Sequence, residues 1–70
     1  MSRFFADISL SINQVIELPE MVFHHWIRVL RANVGEQATL FNGLGGEYAV
    51  ELVEINKRNA MVRILSFNSI

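Results

Sequence analysis

Two histidines and two arginines, His24, His25, Arg28 and Arg31, lie within eight residues and could together bind an anion. An arginine guanidinium offers planar donors that match phosphate oxygens, and it can stack on a nucleobase. A histidine can donate to phosphate and can stack on an unpaired base. At about 100° per residue, His24, Arg28 and Arg31 project from one side of a helix. The spacing predicts a basic stripe for nucleic acid, with an ordinary solvated helix face as the alternative. Four other cations could extend this surface if the fold brings them near: Arg3, Lys57, Arg58 and Arg63.

The same histidines do not fit a metal or catalytic site. Adjacent residues of a helix project about 100° apart, so His24 and His25 cannot chelate one ion. The positions three and four residues onward hold Ile27, Arg28 and Val29, none of which is a ligand of zinc. Serines occur at positions 2, 9, 11, 66 and 69, outside any nucleophile motif. We therefore predict no catalytic, cofactor-binding or metal-binding residue in this chain.

The glycines Gly43, Gly45 and Gly46 follow Asn42 and could in principle form a phosphate-binding loop. The Walker pattern fails because no Gly-Lys-Ser or Gly-Lys-Thr follows. The dinucleotide pattern fails because the residues from Glu47 onward have the alternation of a strand. We predict a hairpin turn whose glycines adopt positive φ.

Composition excludes several classes of protein. The chain has 70 residues, of which 51% are hydrophobic and 19% charged, which suits one small domain with its own core. It has no cysteine, so disulfides and thiolate metal sites are excluded and a cytoplasmic setting is favoured. No apolar run approaches the roughly 20 residues that span a bilayer, so no membrane partner is expected. A net charge of −1 means that any cations that bind nucleic acid must be locally concentrated.

The stripe requires a helix to position it, and residues Glu20 to Arg31 have the necessary pattern. Pro19 suits the start of a helix, and the acidic Glu20 suits the first turn. We expect Asn33 and Gly35 to end the helix. One broad arc of this helix is apolar and should face the core; it contains Val22, Phe23, Trp26, Ile27, Val29 and Leu30.

Strands are predicted on both sides of this helix from β-branched content and alternation. The third and fourth strands are joined by the glycine-rich turn, and a break in alternation at Leu52-Val53 predicts a bulge. The fold class is mainly β with one helix between strands 2 and 3. Five short strands favour a small closed or nearly closed barrel, because closure removes exposed edges. The predicted strands are Arg3–Asp7, Gln14–Leu18, Gln37–Phe41, Glu47–Ile55 and Ala60–Phe67.

Three segments together resemble a known family. They are Arg3-Phe4-Phe5, His24-His25-x-x-x-Val29-Leu30-Arg31, and Leu40-Phe41-Asn42-Gly43-x-Gly45-Gly46-Glu47-Tyr48. Their order and spacing resemble the N-terminal region of the small-subunit ribosomal RNA methyltransferase E family. Members of that family methylate N3 of a uridine in 16S ribosomal RNA. The resemblance extends from Arg3 to about Phe67, and Asn42 departs from it because an aspartate is common at this position.

The resemblance implies that residues 1–70 form a PUA-like, RNA-binding barrel. It implies that Arg3, His24, His25, Arg28 and Arg31 contact RNA. It further implies a C-terminal methyltransferase domain, outside these 70 residues, that binds S-adenosylmethionine and forms a homodimer. We accordingly expect 16S ribosomal RNA and that domain as partners. We expect this chain alone to be a monomer that has no cofactor and no activity.

Two other functions remain open from the sequence. The chain could be a barrel that docks a protein or a second domain without contacting RNA, and an apolar docking surface would be nearly insensitive to salt. It could also be an enzyme in its own right, although no nucleophile or acid–base pair supports this.

Overall fold

Five strands and one helix make up the computed structural model, which describes residues 2–69. The helix lies between the second and third strands; it begins as an α-helix, α1 (Glu20–Phe23), and continues as a π-helix (His24–Val29). The predicted mainly β fold, with its helix between strands 2 and 3, is confirmed. Strand bounds differ from the predicted ones by no more than two residues. The strands are β1 (Ser2–Phe5), β2 (Val15–Glu17), β3 (Gln37–Phe41), β4 (Glu47–Ile55) and β5 (Ala60–Asn68).

All five strands form a single sheet in the order β1-β3-β4-β5-β2. Strands β3, β4 and β5 pair antiparallel, and β2 adds to β5 antiparallel. Strand β1 adds to β3 in parallel, with Phe4 opposite Leu40. Among residues 2–69 no pairing joins β1 to β2, so these two short strands are the edges of an open sheet. Within this range the predicted barrel is therefore not closed by hydrogen bonds.

One hydrophobic core fills the space between the sheet and the helix. Trp26 and Phe23 of the helix are buried, and Trp26 contacts the ring of Phe4 from β1 at 5.6 Å between centroids. Arg63, between two buried positions of β5, is exposed, as its place in the alternation predicts. The largest fully buried side chains all come from the three inner strands: Leu40, Val50, Leu52, Val62 and Ile64.

Strand β4 changes register with β5 at two places. One shift lies between Leu52 and Glu54, which confirms the bulge expected at Leu52-Val53. A second shift lies between Ala49 and Val50. Each bulge increases the local twist of the strand and so helps the sheet to curl around the core.

The helix ends earlier than its sequence pattern predicts. The backbone N–H of Leu30 donates to the carbonyl of His25, five residues back, at 2.9 Å. A helix with hydrogen bonds between residues five apart rotates by a smaller angle per residue than an α-helix does. The predicted apolar arc therefore turns away from the core. Val29 and Leu30 are consequently 56% and 50% exposed, and their predicted place in the core is wrong.

Arg31, and not Asn33 or Gly35, terminates the helix. Its φ of 57° is left-handed, the conformation that commonly follows the last helical turn. The next N–H, that of Ala32, donates back to the carbonyl of Trp26 at 3.2 Å. Gly35 instead occupies the turn into β3, with a φ of 97° and its N–H bonded to the carbonyl of Leu52 at 2.8 Å.

The glycine-rich turn between β3 and β4 has the predicted conformation. Gly43, Gly45 and Gly46 all have positive φ. The side-chain oxygen of Asn42 accepts from the N–H of Leu44 at 3.1 Å, and its amide group donates to the carbonyl of Ile8 at 3.2 Å. Asn42 thus shapes the turn and ties it to the loop that follows β1.

Candidate functional site

The exposed side of the helix borders an open depression of about 860 Å³. His24, His25 and Arg28, three of the five residues predicted to contact RNA, line it together. Arg58, from the turn between β4 and β5, also lines the depression. Arg28 and Arg58, which are 30 positions apart in the sequence, therefore lie at the same depression.

Arg28 is held against two neighbouring elements. Its Nη2 donates to the backbone carbonyl of Lys57 at 2.9 Å, and its guanidinium carbon lies 5.6 Å from the centre of the Phe23 ring. A guanidinium has five N–H donors, so most remain free for an anion after the bond to Lys57. The side chain is therefore ordered in place and still able to bind phosphate oxygens.

His25 packs at the edge of the core, while His24 is exposed beside the depression. The His25 ring meets the ring of Phe4 edge to face, with centroids 5.7 Å apart. His25 nevertheless remains exposed, so its imidazole is oriented by Phe4 without being removed from solvent. An oriented, accessible ring of this kind can stack on an unpaired base or donate to a phosphate.

Arg3 lies apart from the other predicted residues. Its Nε is ion-paired with the carboxylate of Glu47, and its guanidinium lies 4.2 Å above the centre of the Phe41 ring. Successive residues of a strand point to opposite faces, so Arg3 and the core-facing Phe4 diverge. The structure does not place Arg3 among the residues that line the depression.

Arg31 is also absent from the lining of the depression. The sequence placed it on the stripe with His24 and Arg28, but that periodicity assumed an α-helix as far as residue 31. The π-helical hydrogen bonds and the left-handed φ of Arg31 break this alignment, so the continuous three-residue stripe is wrong. Arg31 remains exposed beyond the end of the helix.

Two carboxylates that the sequence argument did not assign to the site, Glu17 and Glu20, line the depression as well. They offset the formal charge of Arg28 and Arg58, so attraction of a polyanion must rest on the local arrangement of cations. Glu20 had a simpler explanation as the acidic residue of a first helical turn. Arg58 was expected to extend the basic surface only if the fold brought its turn near the helix, and the structure places it in the lining of the depression.

Neither a metal-binding group nor a membrane span is found in the part of the chain that the structure describes. Within residues 2–69, no three His, Cys, Asp or Glu side chains are grouped so that they could hold a metal ion. Over the same range no helix has the length and apolar character to cross a bilayer.

Comparison with known proteins identifies the family. Residues 18–65 match the family model described as RNA methyltransferase PUA domain. A curated relative, the ribosomal RNA small subunit methyltransferase E of Rickettsia conorii, is 34% identical over 64 residues, which are 90% of this chain and 26% of the relative. The chain therefore spans about a quarter of that protein's length.

Solved structures agree with this match. A Legionella pneumophila protein, solved with bound SAM, superposes with a TM-score of 0.93 at 32% identity, over 97% of this chain and 28% of its own. The ribosomal RNA small subunit methyltransferase E of Neisseria gonorrhoeae, bound to S-adenosyl methionine, superposes with a TM-score of 0.88 at 34% identity, with the same two coverages. Because the family model covers more than half of its length, this chain belongs to the RNA methyltransferase PUA domain family.

Proposed function

We propose that this chain is the RNA-binding accessory domain of an S-adenosylmethionine-dependent methyltransferase that modifies N3 of a uridine in 16S ribosomal RNA. The match of residues 18–65 to the RNA methyltransferase PUA domain carries this proposal. The 34% identity to the Rickettsia conorii enzyme supports the choice of ribosomal RNA as substrate. The chain spans 28% of each of two similar proteins that bind S-adenosylmethionine, which supports the assignment of the cofactor and the chemistry to a further domain.

The accessory role consists of holding RNA against the exposed side of the helix. Arg28 and Arg31 supply positive charge for phosphates, and His24 or His25 stacks on or donates to an unpaired nucleotide. Arg3 contacts RNA at a separate position, where its guanidinium already lies over an aromatic ring. The methyltransferase domain then acts on the RNA held in this way, in a cytoplasmic homodimer.

Titration of the chain with a 16S ribosomal RNA fragment, followed by NMR, tests the proposal. We expect the amide signals of His24, His25 and Arg28 to shift together as RNA is added. Chemical-shift changes that occur only outside the helix and Arg3 would refute the assignment of this RNA-binding surface.

A charge-removing variant gives a second measure of the same surface. Arg31→Ala should reduce the slope of log affinity against log salt by about 0.7 to 0.9, the effect of one phosphate contact. Arg63→Ala is the matched control, because it removes the same charge from an exposed position on β5. If Arg31→Ala and the wild-type chain have equal salt slopes, Arg31 does not contact an RNA phosphate.

One observation favours a second function, docking of another protein domain without RNA contact. Val29, Leu30 and Val34 are close in sequence and at least half exposed, at 56%, 50% and 59%. Exposed apolar residues of this kind suit a protein interface. Binding through them would change little with salt, whereas RNA binding falls steeply as salt rises.

A further inference from the structure

We propose that the turn between β4 and β5 supplies two of the phosphate contacts, through Lys57 and Arg58, and that Arg28 is the positioning residue that holds this turn beside the helix. The inference rests on the proposed RNA-binding function and identifies which cations carry it. It changes the role of Arg28 from a phosphate ligand to a support for two others.

Hydrogen bonds among its own residues hold the turn in the free protein. The N–H of Asn56 donates to the carbonyl of Asn59 at 2.7 Å and closes the turn. The Asn56 side-chain amide donates both to the side-chain oxygen of Asn59, at 2.9 Å, and to the carboxylate of Glu54, at 2.6 Å. Lys57 and Arg58 lie between these closing residues, so little backbone entropy is lost when they bind.

Arg28 connects this turn to the helix. Its bond to the Lys57 carbonyl links residues 29 positions apart in the chain. The carbonyl it holds belongs to the residue next to Arg58, which lines the same depression as His24, His25 and Arg28 itself. Without this bond the turn would depend only on β4 and β5 for its position relative to the helix.

The two turn cations are free to bind. Lys57 and Arg58 are exposed, and within residues 2–69 neither side chain has a described hydrogen bond or ion pair. Arg3 is paired with Glu47, and the Arg28 guanidinium is engaged by a carbonyl and an aromatic ring. Lys57 and Arg58 are therefore better placed than Arg3 or Arg28 to exchange water for phosphate oxygens.

A double-mutant cycle on the 70-residue chain, with a 16S ribosomal RNA fragment as the probe, tests this assignment. Lys57→Gln with Arg58→Gln should reduce the salt slope by about 1.4 to 1.8, the sum of two phosphate contacts. Arg28→Gln should weaken binding in the wild-type background and have no further effect when both turn cations are already gone. The control, Arg63→Gln, removes one charge from β5 and should leave affinity and slope unchanged.

Further readouts separate positioning from contact. In the free protein Arg28→Gln should shift the amide signals of residues 56–59 and speed hydrogen exchange at Asn56, whereas Arg63→Gln should not.

Three outcomes would contradict these assignments. Additive losses of RNA-binding free energy from Arg28→Gln and the turn variant would overturn the positioning role, because they would show that Arg28 contacts RNA itself. Wild-type binding by the turn variant, with loss in a His24→Gln variant, would overturn the turn contact and leave the proposed function intact. Failure of the wild-type chain to bind would instead refute the proposed function.

Discussion

Replacing Gly46 with alanine should destabilise the domain more than the same change at the neighbouring Gly45. Both glycines have positive φ, 84° at Gly46 and 96° at Gly45. They differ in what an added Cβ would meet. At Gly46 it would lie 2.4 Å from the Phe67 ring and 2.9 Å from the backbone oxygen of Asn68, whereas at Gly45 it would meet nothing within 4 Å.

The expected magnitude follows from this difference. An alanine in the left-handed region costs about 1–2 kcal/mol, and this term applies to both variants. At Gly46 the Phe67 ring must also move, which weakens its contact with Tyr48, whose ring centre is 4.8 Å away. Such a ring pair contributes about 0.5–1.5 kcal/mol. We therefore expect a loss of about 1.5–3.5 kcal/mol at Gly46 and about 1–2 kcal/mol at Gly45, before any cost of crowding the Asn68 carbonyl.

Urea unfolding, followed by the fluorescence of Trp26, measures the free energy of unfolding of the wild-type chain and of both variants. A Phe67→Ala background offers an internal check, because Gly46→Ala should then lose less stability than it does in the wild-type chain. Equal losses at Gly45 and Gly46, or an undiminished loss in the Phe67→Ala background, would refute the packing argument and leave backbone strain as the whole effect.

Three further changes test the core, the turn and the surface. Ile64→Val should cost about 0.5–1.5 kcal/mol in urea unfolding, because it leaves a small cavity at a fully buried position, and no loss would mean that the site repacks. Asn42→Ala removes the bonds to Ile8 and Leu44 and should cost about 1–2 kcal/mol, with faster hydrogen exchange at the Leu44 amide as a second readout. Glu47→Gln breaks only an exposed ion pair and should cost less than about 1 kcal/mol in thermal unfolding; a larger loss would show that Arg3 has a structural role.

The strands were predictable because their signals are local. The bounds of β3 and β4 follow from alternation and from the turn that starts at Asn42, and the bulge follows from a visible break in that alternation. The start of the helix follows from Pro19. Its end was not predictable, because the side-chain pattern through Arg31 suits an α-helix and does not report that backbone bonds shift to five-residue spacing.

The candidate site was predictable only in part. His24, His25 and Arg28 lie within one turn of a helix, so their proximity needs no tertiary information. The ion pair of Arg3 with Glu47 and the bond of Arg28 to Lys57 join residues 44 and 29 positions apart. Such contacts depend on strand order, which a single sequence does not specify.

The parallel pairing of β1 with β3 has a consequence for the order of assembly. Strands β3, β4 and β5 are consecutive and joined by short turns, so they can pair as soon as they are synthesised. Strand β1 must wait for β3, which follows the whole helix. Of the five strands, the one that is synthesised first is therefore among the last to find its partner, and until then Phe4 is exposed to binding by a chaperone.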